Sequence, residues 1–568
     1  MKLQKNSLRS WTPQYLTLTS AILVIASFPP WNCWLLIWVC LIPWYIAIQK
    51  TSSLKDSLIQ GLWFNYFITL GGFYWIAYVL REFGNLNWVI SVLGLQIFCL
   101  IGQPQLIVFS PLLKWIESKK SNKKQSFINR PVFLGVVTSL LFSGLDWILP
   151  KLFLDTLGHS LYRAKHLRQL ADLGGVHLLT FLIFFINHAI WKLFEMWKKT
   201  KKLKFNSQFK LAGIFIALAW CYGFYRLDFI TKKMMNPQQF LQGAAIQANI
   251  GDFDKVAAEQ GITSAATKIL DTLISMSDRA LLKNPKPDFI VWPETSYPTT
   301  FRNPHTFQEM QLDESLEIYL SQIEVPFLFG GYDYFNQKDH NAFFFLSPNE
   351  NLQVYRKSIL LLFGEYIPGA EFFPIIKDLF PQVGNFGRGK GPQVFSINIR
   401  SNNTNTQNSI FVGPMICYEG LFPKFSIDLA KQGSQFLLNI TNDSWFGKWG
   451  EPQLHLALTI FRSIETRLPM LRSTNTGISA LILPDGEIKQ PTEIDSQTIL
   501  SVKIPILEYI PTIIKKWGDW FGLFSFVFGM LGLFFFQSKK LTAGVLLKKI
   551  FFGSKSKSSR SKRNFLEY

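Results

Sequence analysis

A chain of 568 residues that is 48% hydrophobic and only 17% charged, with 18 Trp and 53 Phe, is too long for one hydrophobic core and too apolar for a pair of ordinary soluble domains. Its formal charge of +20 would suggest nucleic acid, but residues 236–510 hold 21 Lys+Arg against 28 Asp+Glu, a net of −7, which leaves +27 for the apolar segments and their loops. Nucleic-acid binding is thereby excluded, and the basic residues read as topology determinants and anionic-lipid contacts.

In chain order, apolar stretches long enough to enter a bilayer occupy 12–30, 32–48, 57–80, 88–113, 132–150, 172–191, 211–230 and 518–537, about eight spans. Pro29 and Pro30 separate the first two, which could form a re-entrant pair. The basic start lacks a small-residue cleavage site and reads as an uncleaved anchor. Lys2, Lys5 and Arg9 place the N-terminus in the cytoplasm, and the basic loops at 114–130 and 192–210 fall on the same side. Only Arg163, Lys165 and Arg168 dissent, which predicts a segment lying along the membrane surface. The predicted division is 1–235, N-terminal transmembrane helices; 236–510, a domain outside the cytoplasm; 511–538, a C-terminal transmembrane helix; and 539–568, a basic cytoplasmic tail.

Within 236–510, short β-rich runs at 242–246, 289–292, 327–329, 342–346, 352–355, 410–416, 435–440 and 478–483 alternate with helix-like stretches at 254–282 and 309–323, implying a layered α/β fold. No internal repeat supports an inverted-repeat transporter. Cys33, Cys40, Cys99 and Cys221 lie in or beside apolar spans, and Cys417 is the single thiol of the α/β domain. A lone thiol has no internal disulfide partner, and catalysis is one reason for its presence.

Three polar residues close apolar strand-like runs, where α/β folds place functional groups. Glu294 ends Asp288-Phe-Ile-Val-Trp-Pro-Glu294, a position suited to a general base, although a solvated loop glutamate is an equally common occupant. Cys417 ends Phe411-Val-Gly-Pro-Met-Ile-Cys417 before Tyr418-Glu419-Gly420. That strand-to-helix pattern favours a thiolate nucleophile, while residue frequency alone favours a buried core cysteine. Lys357 closes Leu352-Gln-Val-Tyr-Arg-Lys357 and could stabilise an oxyanion, or lie on the surface. The seven histidines show no metal-ligand spacing, so neither metal nor cofactor is expected; His305, His340 or His455 could instead pair with Cys417.

The chain order Glu, Lys, Cys, each after a strand, resembles the nitrilase superfamily over roughly residues 240–500. Trp292-Pro293-Glu294, Lys357 followed by Phe363-Gly-Glu-Tyr-Ile-Pro368, Ile416-Cys-Tyr-Glu419, Thr441-Asn-Asp-Ser-Trp-Phe-Gly447 and Leu471-Arg-Ser-Thr-Asn-Thr-Gly-Ile478 are similar to motifs of its membrane-embedded branch, the apolipoprotein N-acyltransferases. The multispan region and the C-terminal span match that branch as well. The resemblance implies an α-β-β-α sandwich joined to a multispan helical bundle, in a bacterial inner membrane with the catalytic domain on the periplasmic side. It implies Glu294 as base, Lys357 as oxyanion stabiliser and Cys417 as nucleophile, with Glu365, Tyr418, Glu419 and Asn341 in support.

The implied partners are a phospholipid acyl donor, a diacylglyceryl-apolipoprotein acceptor and the bilayer, with a thioester between the two half-reactions. The sequence departs from the family's pattern at Phe253-Asp-Lys-Val256, where a substrate-loop tryptophan is expected. Ile359–Phe363 reads as a lipid-facing lid or as an ordinary buried segment. A membrane-tethered nitrilase or amidase acting on a small amide is the alternative enzyme, and a non-catalytic scaffold or channel the rival from another class.

Overall fold

The computed structural model describes residues 12–537 apart from 83, 85, 121–130, 203–204, 260, 349, 370–383 and 401–406. The basic tail expected at 539–568, the N-terminal Lys2, Lys5 and Arg9, and much of the 114–130 loop lie outside the described residues.

Two parts follow from the segregation of apolar residues. In the first, helices at Pro13–Ser27, Ile42–Lys50, Leu54–Gly72, Ile76–Glu82, Trp88–Ile101, Pro104–Lys120, Pro131–Ile148, Ala171–Thr200 and Ser207–Met235 form a bundle, joined by a C-terminal helix at Trp520–Gln537. Among the described residues four segments are long and apolar enough to cross a membrane, Trp88–Ser118, Pro131–Ile148, Leu167–Thr200 and Ser207–Met235. Pro13–Ser27, Trp34–Lys50 and Trp520–Phe535 are shorter apolar segments. Their outward faces carry side chains such as Val89, Ile97, Leu218 and Phe224, exposed as lipid-facing residues are.

Sequence reading and structure differ within two predicted spans. The stretch 57–80 is a helix that stops at Gly72, with a separate short helix at Ile76–Glu82. The stretch 88–113 breaks at Gly102 and Gln103, because Pro104 lacks an N–H and disfavours helical geometry in the residue before it. Asn65 satisfies the interrupted backbone from the neighbouring helix, its Oδ1 accepting from the Gln103 N–H (2.6 Å) and its Nδ2 donating to the Cys99 carbonyl (2.7 Å). In a bilayer such a break needs that kind of internal partner.

The C-terminal helix packs directly on Pro131–Ile148 through glycines. A Cβ on Gly144 would lie 2.4 Å from the Phe526 backbone, and one on Gly529 would lie 2.8 Å from the Leu141 nitrogen. Small residues let the two backbones approach, which is how helices associate where lipid removes the hydrophobic driving force.

The second part is an α/β sandwich whose strands are β1 (Gln239–Gln247), β2 (Phe289–Val291), β3 (Phe327–Phe335), β4 (Lys338–Leu346), β5 (Gln353–Arg356), β6 (Phe395–Arg400), β7 (Gln407–Ile416), β8 (Phe436–Thr441), β9 (Met470–Thr474), β10 (Ala480–Ile482), β11 (Ile488–Lys489) and β12 (Thr498–Ile506). They form two six-stranded sheets, ordered β12-β1-β2-β3-β4-β5 and β11-β10-β9-β8-β7-β6. Alternation in β1 and β2 makes the layers. Ala245, Phe289 and Val291 face the second sheet, where Phe289 meets Phe436 (5.8 Å between rings). Ala244, Ile246 and Ile290 instead face the helices Thr263–Leu281 and Phe307–Gln322. Helices Pro423–Lys431 and Glu451–Thr466 cover the other sheet, so the α-β-β-α arrangement expected from the resemblance is present.

The sandwich is seated on the bundle by buried charge. Arg467 donates from Nη2 (2.7 Å) and Nε (3.1 Å) to Asp172 Oδ2, which also accepts from Arg226 Nε (2.6 Å). Arg168, expected among lipid headgroups, is buried and donates to the carbonyls of Tyr162 (2.7 Å) and Asp485 (3.1 Å). That segment is a docking element for the α/β domain, while Arg163 and Lys165 just before it remain exposed.

Candidate active site

Glu294, Lys357 and Cys417, far apart in sequence, come together where strands from both sheets end. Glu294 lies three residues beyond β2, Lys357 follows β5 directly, and Cys417 follows β7. The Pro293 and Glu294 backbone runs against Gly330, where a Cβ would lie 2.4 Å from the Pro293 carbonyl. Cys417 has φ of +49° at the sharp step from β7 into a 3₁₀ turn, Cys417–Leu421. A non-glycine residue held in the left-handed region costs roughly 1–3 kcal/mol and persists where its surroundings over-determine it.

The carboxylates and the ammonium form one buried cluster. Lys357 Nζ donates to Glu365 Oε1 (2.8 Å) and Glu294 Oε1 (3.1 Å), and Asn341 Nδ2 donates to the same two oxygens (2.9 and 2.8 Å). The Asn442 N–H donates to Glu294 Oε2 (2.9 Å), and the Leu361 N–H donates to Glu365 Oε2 (2.8 Å). Two carboxylates hold the ammonium in its charged form and push the Lys357 pKa well up, against the burial that opposes charge.

Cys417 departs from the sequence expectation of a ready-made thiolate. Burial and the neighbouring Glu294 carboxylate push its thiol well up, and Lys357 only partly offsets them. That direction favours the protonated thiol, so a nucleophilic role for the sulfur would require a base to take its proton.

Glu419 has a different task from the one its proximity to the thiol suggests. It is wholly buried and accepts from the Ile416 N–H (2.9 Å) on one side. On the other it accepts from the Tyr355 hydroxyl (2.6 Å), the Ser358 N–H (2.7 Å), the Ser358 hydroxyl (2.9 Å) and the Ile359 N–H (3.2 Å). It thus pins the loop after Lys357 to the turn that carries Cys417. Tyr418 reaches the other way, its hydroxyl donating to the Leu152 carbonyl of the membrane region.

Cys417 opens on a narrow cavity with walls from both parts of the molecule: Trp75 and Phe153 from the bundle, Leu361 from the loop after Lys357, and Phe446, Leu454 and His455 from the sandwich. Leu454 also lines a second, larger pocket in the bundle, bounded by Ile25, Phe64, Ile68, Gly72 and Phe142, with Gln103, Asp146 and Asp155 at one part of its wall. Of the segment 359–363, Leu360 is buried, Leu361 faces the cavity and Phe363 is exposed, so it is neither uniformly lipid-facing nor uniformly core.

Of the three histidines weighed as partners of Cys417, only His455 shares its cavity. His340 sits with Nδ1 3.0 Å from the Lys338 carbonyl, and the His305 backbone N–H donates to Glu309 (2.6 Å). Sequence reasoning did not single out the backbone N–H of Asn442 as a ligand of Glu294, nor the buried group Asp443, Glu451, His455 and Arg472. Asn442 and Asp443 lie in the Thr441–Gly447 motif, but motif reading assigns roles to side chains and gives no hint of a main-chain donor. Asp443, Glu451 and His455 bring ligand atoms within 4.8 Å of one another, as a metal site would, but the Arg472 guanidinium already occupies Asp443 (3.0 Å). The departure at Phe253–Val256 falls in a helix, Asp252–Glu259; the Phe253 side chain lies outside the described residues, while Lys255 is buried with its ammonium on the Thr295 hydroxyl.

An α-β-β-α sandwich with a cysteine, a lysine and carboxylates at its strand ends, set on a membrane bundle, defines a carbon–nitrogen-hydrolase type of enzyme adapted to lipid. Residues 244–512 match the carbon-nitrogen hydrolase family, and residues 20–189 match the apolipoprotein N-acyltransferase N-terminal domain. The apolipoprotein N-acyltransferase of Bdellovibrio bacteriovorus is 34% identical over 88% of this chain and 90% of its own length. Those of Geobacter metallireducens (26%; 89% of this chain and 91% of theirs) and Pseudomonas syringae pv. tomato (25%; 90% and 94%) are similar along the same extent. The chain belongs to the apolipoprotein N-acyltransferase family and is a membrane acyltransferase.

Proposed function

We propose that the enzyme moves a fatty acyl chain from a membrane phospholipid through a thioester on Cys417 to the α-amine of a diacylglyceryl-cysteine apolipoprotein. The reaction takes place at the periplasmic face of a bacterial inner membrane. In this reading 1–235 and 511–538 are the membrane parts, 236–510 is the periplasmic catalytic domain and 539–568 is a cytoplasmic tail; the basic loops on one side of the apolar spans support that orientation. The observation that carries the proposal is the placement of Cys417 between a Glu-Lys-Glu cluster and an apolar cavity walled by the membrane bundle. A hydrolase of small amides has no use for such a wall.

In the first half-reaction Glu294 takes the Cys417 proton as sulfur attacks the ester carbonyl. Lys357 holds the oxyanion, and the glycerol oxygen leaves with the proton from Glu294, giving lysophospholipid and thioester. Glu365 and Asn341 keep Lys357 and Glu294 in register, and Glu419 keeps the Lys357 loop on the Cys417 turn. The acyl chain lies along the cavity and into the pocket behind Leu454, and the largely apolar walls beside Cys417 shield the thioester until an amine arrives.

Intact-mass measurement of the full-length enzyme mixed with phospholipid tests the reading. One acyl chain is added, labile to hydroxylamine, and absent in Cys417→Ala; an adduct that persists in Cys417→Ala excludes Cys417 as the nucleophile.

A further inference from the structure

One buried group beside the thiol is left unused by that mechanism. His455, in helix Glu451–Thr466, is 5% exposed and lines the Cys417 cavity. Its Nδ1 lies 3.3 Å from Asp443 Oδ1 and 3.3 Å from Glu451 Oε1, while its Nε2 has no partner. A nitrogen facing two carboxylates carries the hydrogen, so the neutral ring has an Nδ1–H tautomer and a bare lone pair on Nε2. Asp443 is itself held by Arg472 Nη2 (3.0 Å) and the Thr441 hydroxyl (3.0 Å), and Glu451 Oε2 is also free. The charged or titratable groups around the ring are therefore Asp443, Glu451 and Arg472, with Cys417 across the cavity.

Proton counting gives this lone pair a task. An α-amine reaches the site mostly as ammonium at neutral pH, with an ordinary pKa of about 7.7–8.0. On becoming an amide nitrogen it loses two protons. Glu294 relays one of them to the departing Cys417 sulfur, which regenerates the thiol, and the other has no acceptor in the Glu-Lys-Cys set. The first half-reaction has no such surplus, because the thiol proton leaves on the glycerol oxygen.

We propose that His455 is a second base, specific to the acyl-transfer half-reaction, which takes the surplus proton from the incoming α-ammonium of the lipopeptide at Nε2. The proposal rests on the thioester reading above. The imidazolium formed lies against Asp443 and Glu451, which raise the proton affinity of the ring against burial and the Arg472 charge. Glu451, pushed up to about 7 by burial and the Asp443 charge, lies 3.3 Å from Nδ1 and offers a way onward.

The test is single-turnover discharge of phospholipid-loaded full-length enzyme, followed by intact mass, for wild type, His455→Gln and Glu451→Gln. Two acceptors are compared: a diacylglyceryl peptide with a free N-terminal Cys, and hydroxylamine, which is uncharged at neutral pH and brings no surplus proton. His455→Gln should load normally, react with hydroxylamine at the wild-type rate and lose about tenfold or more in discharge by the lipopeptide at about pH 7. That deficit should close near pH 9.5, where the peptide amine has already lost its proton. Glu451→Gln, which keeps a partner for Nδ1 but removes a charge, should show a smaller deficit of the same pH form and serves if His455→Gln does not fold. Wild-type discharge by the lipopeptide at pH 7 in both variants, or an equal slowing with both acceptors at every pH, overturns the proposal. Failure of wild type to form a thioester overturns the reading beneath it instead.

Discussion

Two of the places where the molecule buries charge serve different ends. At the junction of bundle and sandwich, both Asp172 oxygens are occupied: Oδ1 accepts from the Tyr222 hydroxyl (2.5 Å) and Oδ2 from Arg226 and Arg467. Arg467 spends further donors on Gln169 Oε1 (2.6 Å) and the Pro484 carbonyl (3.0 Å). At the strand ends, Glu294 and Lys357 are likewise buried and Glu365 is half-buried, yet Asn341 Oδ1, His455 Nε2 and Glu451 Oε2 nearby have no partner. A closed set of charges can only fix geometry, whereas open atoms around a thiol are available to a substrate. Breaking the junction should therefore cost stability, and breaking the strand-end cluster should cost rate.

The largest separation is expected from Cys417→Ala and Glu294→Gln. Each should lower turnover about a thousandfold or more while the protein stays folded in the membrane, with a thermal midpoint within a few degrees of wild type. Lys357→Met should lower turnover about 10²–10³-fold by removing the oxyanion's partner. Near-normal activity in any of the three would move that residue out of the mechanism. Arg467→Met tests the opposite side. It removes one of the two guanidinium partners of the buried Asp172 carboxylate, leaving Arg226 and the Tyr222 hydroxyl, and should cost about 3 kcal/mol of stability, read as a lowered thermal midpoint, with unchanged specific activity per folded molecule. Loss of activity at an unchanged midpoint would erase the distinction between the two clusters.

A smaller effect follows from the state of the thiol. Because burial and Glu294 raise the Cys417 pKa, alkylation of this cysteine by iodoacetamide should be slow at neutral pH and still rising above pH 9; Cys417→Ala isolates its share of the mass shift. Lys357→Met should slow it further, since the ammonium is the group that favours the thiolate. The sign for stability is fixed by the same shift. A folded thiol that binds its proton more tightly than the unfolded chain contributes stability that is complete below the unfolded value and lost as pH rises toward the folded one. An alkylation rate already on its plateau at pH 7 would mean that Lys357 outweighs burial.

Much of this was legible in the sequence because strands that end in chemistry carry a local signature. Apolar runs closed by Glu294, Lys357 and Cys417 mark β2, β5 and β7, and the break in polarity near 236 marks the start of the sandwich. Three things were not legible. Strand β9, Met470–Thr474, reads as motif because Arg472 and Ser473 interrupt its apolar run, whereas β6 (Phe395–Arg400) and β12 (Thr498–Ile506) alternate apolar and polar residues and their signal was there to be read. Pro104 marks the break locally, but that Asn65, 38 residues from Gln103, satisfies the interrupted backbone is something no local pattern reveals. The sign of the Cys417 shift depends on how deeply the thiol is buried, and a strand-to-turn pattern is silent about depth.

The smallest expected effect asks whether the bundle is only a scaffold. Gly72 ends the helix Leu54–Gly72 and lines the pocket in the bundle, and a Cβ placed on it would meet nothing within 4 Å. Gly72→Leu therefore starts its side chain in open space, and should leave the thermal midpoint near that of wild type. If the acyl chain of the donor extends past Leu454 into this pocket, the leucine takes the room of its last methylenes. Each methylene that loses its seat gives up about 0.8 kcal/mol, or about fourfold in preference. Competition between phospholipids that differ only in chain length, read by the mass of the thioester on Cys417, should then shift toward the shorter chain. An unchanged distribution would confine the acyl chain to the cavity beside Cys417. The bundle would then do no more than carry the Asp172 junction, and the contrast between a closed region that holds and an open region that reacts would run along the domain boundary itself.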